Sequence, residues 1–200
     1  MLKYVVKKND TEKLYRATAK PVADMLPKKM KGRLLDIGCY KGYLRDYLPK
    51  TVVYTGLDLD KWFPEIVICD LNNQKLPFKT NYFDYVICAN VLEHIFYPEK
   101  ICEEIKRVLK PKNIAIISLP NDFGLSSKYS CLFEKPSDFD IERYRHHWRF
   151  SIKTAKDFIS KYFKIKEIKM YNGHILNKFD FLLKHFPDLC SNIYMKTINL

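Results

Sequence analysis

The chain has 200 residues, 47% of them hydrophobic, which suits a single domain with a real core and argues against disorder. No run approaches the roughly 18 to 20 apolar residues of a membrane helix, and the start, Met1 to Lys8, holds too short an apolar region for a signal peptide, so a cytoplasmic protein is expected. The 35 lysines and arginines outnumber 23 acids for a net charge of +12, yet they are spread along the chain with no compact arginine-rich run, which suits a generally basic surface better than a dedicated nucleic-acid face.

Residues 9 to 27 read as a helical prelude. Asn9 and Glu12 resemble a capping box, Leu14, Tyr15, Val22, Met25 and Leu26 share a face, and Pro21 is expected to kink or divide the helix. It is read as packing on the sheet edge, with contact of Tyr15 or Arg16 to a ligand as the alternative. Arg33 to Ile37 is a short strand, Gly38 permits a tight turn, and a helix is expected from Gly42 with Leu44, Tyr47 and Leu48 on one face. Val52 to Leu57 is a second strand ending on Asp58. Only seven residues then precede Ile66, too few for a crossover helix, so a loop is expected, with Trp62 and Phe63 covering the sheet.

Ile66 to Cys69 is the third strand, running into Asp70 and Leu71, and Phe83 to Ala89 is the fourth, ending on Asn90. Pro98 and Glu99 open a helix whose apolar face carries Ile101, Cys102, Ile105, Val108 and Leu109. Lys110 to Asn113 should stop it, with Asn113 in a left-handed turn, before the buried fifth strand Ile114 to Leu119. Residues 120 to 150 break the rhythm as an irregular insertion above the strand tips, placed to form a lid. An amphipathic helix through Ala155, Phe158, Ile159 and Tyr162, a sixth strand at Ile165 to Met170 and a seventh at Asn192 to Ile198 complete the chain. Such alternation predicts an α/β, doubly wound, mostly parallel sheet in one domain. Within it, 1–30 is an N-terminal cap, 31–120 a ligand-binding half, 121–150 the lid and 151–200 the closing helix and strands.

The glycine turn after strand one is where nucleotide-like ligands meet free N–H groups in open α/β sheets. Asp58 follows Gly38 by 20 residues, the spacing of a carboxylate that accepts from ribose hydroxyls. Together with Asp70 and Asn90 it puts polar residues at successive strand tips, which describes a ligand crevice.

These residues resemble the class I S-adenosylmethionine-dependent methyltransferases, specifically the small type 11 group. The resemblance rests on Leu34-Leu35-Asp36-Ile37-Gly38-Cys39 with Gly42, Gly56-Leu57-Asp58, Asp70-Leu71, Leu76-Pro77-Phe78, Phe83-Asp84-Tyr85-Val86, Val91-Leu92-Glu93-His94 and Arg107-Val108-Leu109-Lys110-Pro111. It covers about residues 33 to 120, and continues more weakly through His147 to Ser151 and Phe186 to Leu189. It implies a seven-stranded Rossmann-like sheet whose last strand runs antiparallel between strands five and six. The implied cofactor is S-adenosylmethionine. Asp36 would order the glycine loop or meet the cofactor ammonium, and the loop carrying Gly38, Cys39 and Gly42 would admit the amino-acid part. Asp58, with Leu59 beside it, would hold the ribose, Asp70 and Leu71 would meet the adenine, and Asn90 would lie by the methionine portion. Relatives usually have a small residue at position 40; here Tyr40 must point its ring away from the cofactor or displace the loop.

Methyl transfer from a sulfonium is an in-line displacement that needs mainly alignment, and a general base only where the acceptor arrives protonated. The candidate bases are His94, His146 and His147. His147 leads because it ends the lid beside Trp148 and Arg149, and Glu142 and Arg149 are candidates to orient a polar acceptor. No metal is expected. Relatives that methylate quinone-precursor phenols carry an extra carboxylate where this chain has Asn90, and the six cysteines show no CxxC spacing and read as buried thiols. The motifs of base-amine and base-carbon methylating enzymes are absent. The expected acceptor is therefore a small molecule or a glycan- or lipid-linked intermediate, methylated on oxygen. An RNA or protein methyltransferase is the second reading. A cofactor-binding regulatory module without turnover, should Tyr40 spoil the loop, is the third.

Overall fold

The computed structural model describes residues 8–124, 127, 146–171 and 186–200, with side chains described from residue 16 onward. Helix α1 spans Lys8–Ala23, and the sheet strands are β1 Gly32–Ile37, β2 Val52–Asp58, β3 Val67–Ile68, β4 Phe83–Ala89, β5 Leu109–Pro120, β6 Lys164–Tyr171 and β7 Asn192–Ile198. Helix α2, Pro98–Val108, lies between β4 and β5, and α3, Ile152–Ser160, precedes β6. The seven strands run in the order β3-β2-β1-β4-β5-β7-β6. All neighbours are parallel except β7, which is antiparallel to both β5 and β6. Strand order therefore reverses between β1 and β4, and in such sheets ligands sit beyond the carboxyl ends at that reversal.

The pleat sorts side chains to two faces. Leu35, Ile37, Val86, Cys88, Ala115 and Ile117 pack toward α2 and α3, where Ile101, Ile105, Ala155 and Ile159 meet them. Leu34, Ile87, Ile116 and Tyr194 point the other way and are covered by Val22 and Met25. Helix α1 thus lies across the middle of the sheet face and not at its edge, because the β1–β2 crossover supplies no full helix to fill that place. Asp36 shares the face of Leu34, so its carboxyl projects under α1. Pro21 lies in the last turn of α1 without dividing it. The capping box of Asn9 and Glu12 and the contacts of Leu14 and Tyr15 lie outside the described side chains.

Several family motifs serve the scaffold. Arg107 donates to the carbonyls of Phe78 (2.7 Å) and Leu76 (3.0 Å) and to Glu104, whose carboxylate accepts from Leu76 N–H. Arg107 accordingly holds the Glu104 carboxyl below the usual range. Asp84 joins β1 to β5 by accepting from Arg33 N–H and Lys110 Nζ. Ser151 caps α3 reciprocally with Thr154.

Three local expectations change. The segment after Gly42 is a single 3-10 turn, Tyr43–Tyr47, with Leu44 buried and Tyr47 exposed. Eight residues from Gly42 to the Pro49 turn leave no room for an α-helix with three apolar positions inward. The third strand shrinks to Val67–Ile68 at the sheet edge. At the end of α2 the left-handed residue is Lys112, φ 63°, and not Asn113, and the chain enters β5 directly at Leu109. Asn199 secures this junction by donating to the carbonyls of Lys106 and Leu109. Among the described residues, Cys39, Cys69, Cys88, Cys102 and Cys190 are free and buried, as expected. Most of the expected lid, and Glu142 with it, lies outside the described residues.

Candidate cofactor and acceptor site

At the tip of β1 the chain turns through Gly38 (φ 70°), Tyr40 (φ 47°) and Gly42 (φ 70°). Gly38 and Cys39 N–H both donate to Leu57 O, at 2.8 and 3.2 Å, which holds the loop against β2. A Cβ at Gly38 would stand 2.3 Å from Val91 Cγ2, so a hydrogen is all this position admits. Position 40 also needs a left-handed residue, which is why a small residue suits it. Tyr40 meets the requirement by packing outward: its ring lies edge-on to Trp62 at 4.4 Å and near Tyr43 at 6.1 Å. The loop is kept and the ring roofs it. Trp62 therefore covers the loop, while Phe63 covers β2 beside Gly56 and carries the Arg45 guanidinium at 4.2 Å.

Beneath the loop is an open cavity lined by Thr18, Ala19 and Val22 of α1, Asp36 and Gly38 of the β1 tip, and Tyr43; Cys39 and Ala89 also border it. Asp36 accepts a hydrogen bond from the Tyr54 hydroxyl at 2.8 Å. Burial pushes its carboxyl up to about 7, against the lowering influence of that hydroxyl, with nearby Asp58 adding a further upward push. A buried acid on this wall favours a cationic neighbour, which would restore its charge. The tight Gly38 turn and this carboxyl fit the amino-acid end of S-adenosylmethionine.

Asp58, at the tip of β2, accepts from Tyr40 N–H (2.8 Å) through Oδ2 and from Leu59 N–H (2.8 Å) and Asp60 N–H (3.3 Å) through Oδ1. Oδ2, with a single donor, retains lone-pair capacity for a hydroxyl. Leu59 is exposed beside it. Asp70 organises a turn, accepting from Asn72 N–H and Asn73 Nδ2, and Leu71 is half-buried against the core. Asn90 (φ 53°) accepts from Ser118 Oγ at 2.9 Å and donates its N–H to Ser118 O.

Across the cavity mouth, the 3-10 turn Leu92–His94 follows Val91, the residue against Gly38. Glu93 is 1% exposed and its Oε2 has no hydrogen-bond partner, one of two such buried side-chain atoms among the described residues. Burial raises its carboxyl to about 8, with Asp122 adding to the shift. His94 Nε2 is 3.9 Å from Glu93 Oε1, and the His94 and His146 rings stand 4.8 Å apart edge-on. His146 Nδ1 lies 3.2 Å from Asp122 Oδ1, and Asp122 Oδ2 accepts Phe150 N–H. The segment is fastened by His147 N–H to Glu93 O at 2.7 Å. Its side chain, however, stacks on Phe96 at 4.3 Å on the exposed surface. The structure thus joins His94 with His146 and leaves the His147 ring outside their cluster. The sequence does not say which of the two adjacent histidines turns inward.

A family model described as a methyltransferase domain matches residues 11–174. The chain belongs to this methyltransferase family. An uncharacterized protein of Methanocaldococcus jannaschii is 35% identical over 127 residues, 56% of this chain and 54% of that one. The ubiquinone biosynthesis O-methyltransferase of Glaesserella parasuis is 28% identical over 107 residues, 44% of this chain and 45% of that one. The chain thus spans about half the length of these two curated relatives. A SAM-dependent methyltransferase from Archaeoglobus fulgidus shares the fold, with TM-score 0.65 at 19% identity, over 96% of this chain and 100% of that one. The sheet of this chain is the class I methyltransferase fold.

For a methyltransferase of this family, the residues not singled out in sequence are instructive. Thr18, Ala19 and Val22 reach the cavity only because α1 crosses the sheet face, and Tyr54 reaches Asp36 only across the β1–β2 pairing. Asp122 carried one signal, a carboxylate directly after the fifth strand. No helix among the described residues is long and apolar enough to cross a membrane.

Proposed function

We propose that this methyltransferase acts on a hydroxyl of a small molecule or of a glycan- or lipid-linked intermediate. The supporting observation is the carboxylate–imidazole cluster of buried Glu93 with His94, His146 and Asp122 beside the Gly38–Val91 contact. An amine with a free lone pair needs no such group, whereas a hydroxyl must lose its proton. The likeness to an O-methyltransferase agrees with this reading.

When bound, S-adenosylmethionine supplies a methyl on a positively charged sulfur that leaves as a neutral thioether. The rest is the work of the chain. The Asp36 carboxylate takes the cofactor's ammonium end, the Gly38 loop admits its backbone, and Cys39 and Gly42 shape that loop. Asp58 accepts from the ribose hydroxyls while bracing Tyr40, with Leu59 beside it. Asp70 and Leu71 serve the adenine and Asn90 the methionine portion. His94, whose side chain is 28% exposed, is the member of the cluster open to an acceptor. Phe96 and Trp148 form an aromatic rim for the acceptor, with Trp148 Nε1 donating to Phe96 O.

The test is calorimetric titration with S-adenosylmethionine and S-adenosylhomocysteine, followed by an acceptor screen scored by product mass. Micromolar cofactor binding and an O-methylated product from hydroxylated metabolites or glycans are expected. A methyl found on nitrogen, or turnover only with RNA and steep loss with salt, would overturn the oxygen-acceptor reading.

A further inference from the structure

We propose that Glu93, His94 and His146 form a binding site for a divalent first-row transition ion, Zn2+ or a close neighbour, with coordination positions open on the His94 side. One ligand atom from each residue lies within 4.8 Å of the others. Ligands about 2.0 to 2.2 Å from a shared ion stand roughly 3 to 3.5 Å apart, so shifts of about 1 Å in the His94 and His146 side chains would close the set.

Three observations distinguish this cluster from a packed polar core. Glu93 is 1% exposed and Oε2 has no partner among the described residues, which leaves a cost of roughly 1 to 3 kcal/mol standing. A cation would remove it. Asp122, with a side chain 2% exposed, engages His146 Nδ1 at 3.2 Å. A buried carboxylate on one imidazole nitrogen is the arrangement that fixes the tautomer and presents Nε2 to a metal. Finally, side-chain exposure rises from Glu93 at 1% through His146 at 12% to His94 at 28%, giving a route in from solvent. Two imidazoles and one carboxylate suit Zn2+, Fe2+ or Co2+, and offer too few oxygens for Ca2+.

The sequence pointed the other way, because Asn90 stands where some relatives have a carboxylate ligand. Here the third ligand comes from His146, beyond β5, which no reading of the Glu93-His94 pair alone supplies. The role of the ion rests on the oxygen-acceptor reading, since a metal acidifies a hydroxyl bound to it; the binding itself does not.

The experiment is titration of the full chain, stripped with chelator, with Zn2+ and with Co2+ alone, in the absence of acceptor. Expected are one saturable site of micromolar or tighter affinity and visible d–d absorption with Co2+. His146→Ala and Glu93→Gln should each weaken Zn2+ at least about 100-fold, and Asp122→Asn about 10- to 100-fold, with S-adenosylhomocysteine affinity retained. Should Glu93→Gln fail to fold, His146→Ala, at the partly exposed ligand, carries the test. Lack of saturation by Zn2+ in the wild type, or wild-type affinity in His146→Ala, overturns the site. Metal binding with a methyl on nitrogen would instead overturn the acceptor reading and leave the site standing.

Discussion

The two flanks of the strand tips are built on opposite principles. On the β1–β2 flank the polar groups are satisfied within the chain: Asp58 takes three backbone N–H groups and Asp36 takes the Tyr54 hydroxyl. On the β4–β5 flank a fully buried Glu93 oxygen has no partner among the described residues, beside two histidines that meet edge-on. The internal satisfaction of the first flank suits a cofactor pocket, whose orientation is prepared in advance. We propose that the second is the place where the variable partner of the reaction binds. Substitutions on the first should therefore alter cofactor affinity and stability, and those on the second should alter turnover.

The widest separation is expected within the second flank. His146→Ala should lower turnover about 10²- to 10⁴-fold with cofactor affinity unchanged, while His147→Ala, whose ring lies on Phe96, should leave turnover near wild type. Equal losses in the two variants, read by steady-state kinetics, would return His147 to the reacting centre. Gly38→Ala combines a left-handed backbone with a Cβ aimed at Val91, and should destabilise by roughly 2 to 5 kcal/mol in urea titration. A fold as stable as wild type would mean the loop yields easily and is not a prepared surface.

Asp36→Asn tests the buried acid. Its folded-state carboxyl lies at about 7, above the ordinary unfolded value near 3.8, so the folded chain binds more protons between those limits and wild-type stability falls as pH rises from about 4 to 7. The variant should gain roughly 2 to 4 kcal/mol over wild type at pH 8 and almost nothing near pH 4, by thermal unfolding across pH. It should also weaken cofactor binding, the opposite sign to its effect on stability. Asp58→Ala should cost about 100-fold in cofactor affinity, or about 2.7 kcal/mol by calorimetry; unchanged affinity would remove Asp58 from the pocket. The smallest effect belongs to Tyr40→Gly. Relief of the left-handed strain and loss of the Trp62 contact oppose each other, leaving stability within about 1 kcal/mol.

Much of this was legible in the chain itself, for a physical reason. Strands β1 and β4 announce themselves because buried strands need near-continuous apolar runs. The missing crossover helix before β3 follows from counting residues. Asp36, Gly38, Asp58 and Asn90 fall at strand ends because that is where a parallel sheet exposes polar groups. The 3-10 turn at Tyr43–Tyr47 was not legible, since its apolar spacing is shared by a helix and a single turn. Lys112 in place of Asn113 at the left-handed position was set by the register in which Asn199 clamps the end of α2.

The sequence by itself determined the fold and the family, since these rest on local patterns with fixed spacing along one stretch of chain. Only the tertiary structure decided that α1 lies over the cavity, that Tyr54 reaches Asp36, and that His146 turns inward to Glu93 and His94 while His147 turns out. Each of those contacts joins segments far apart in sequence, and their partners are chosen by strand order and packing, which no local pattern encodes.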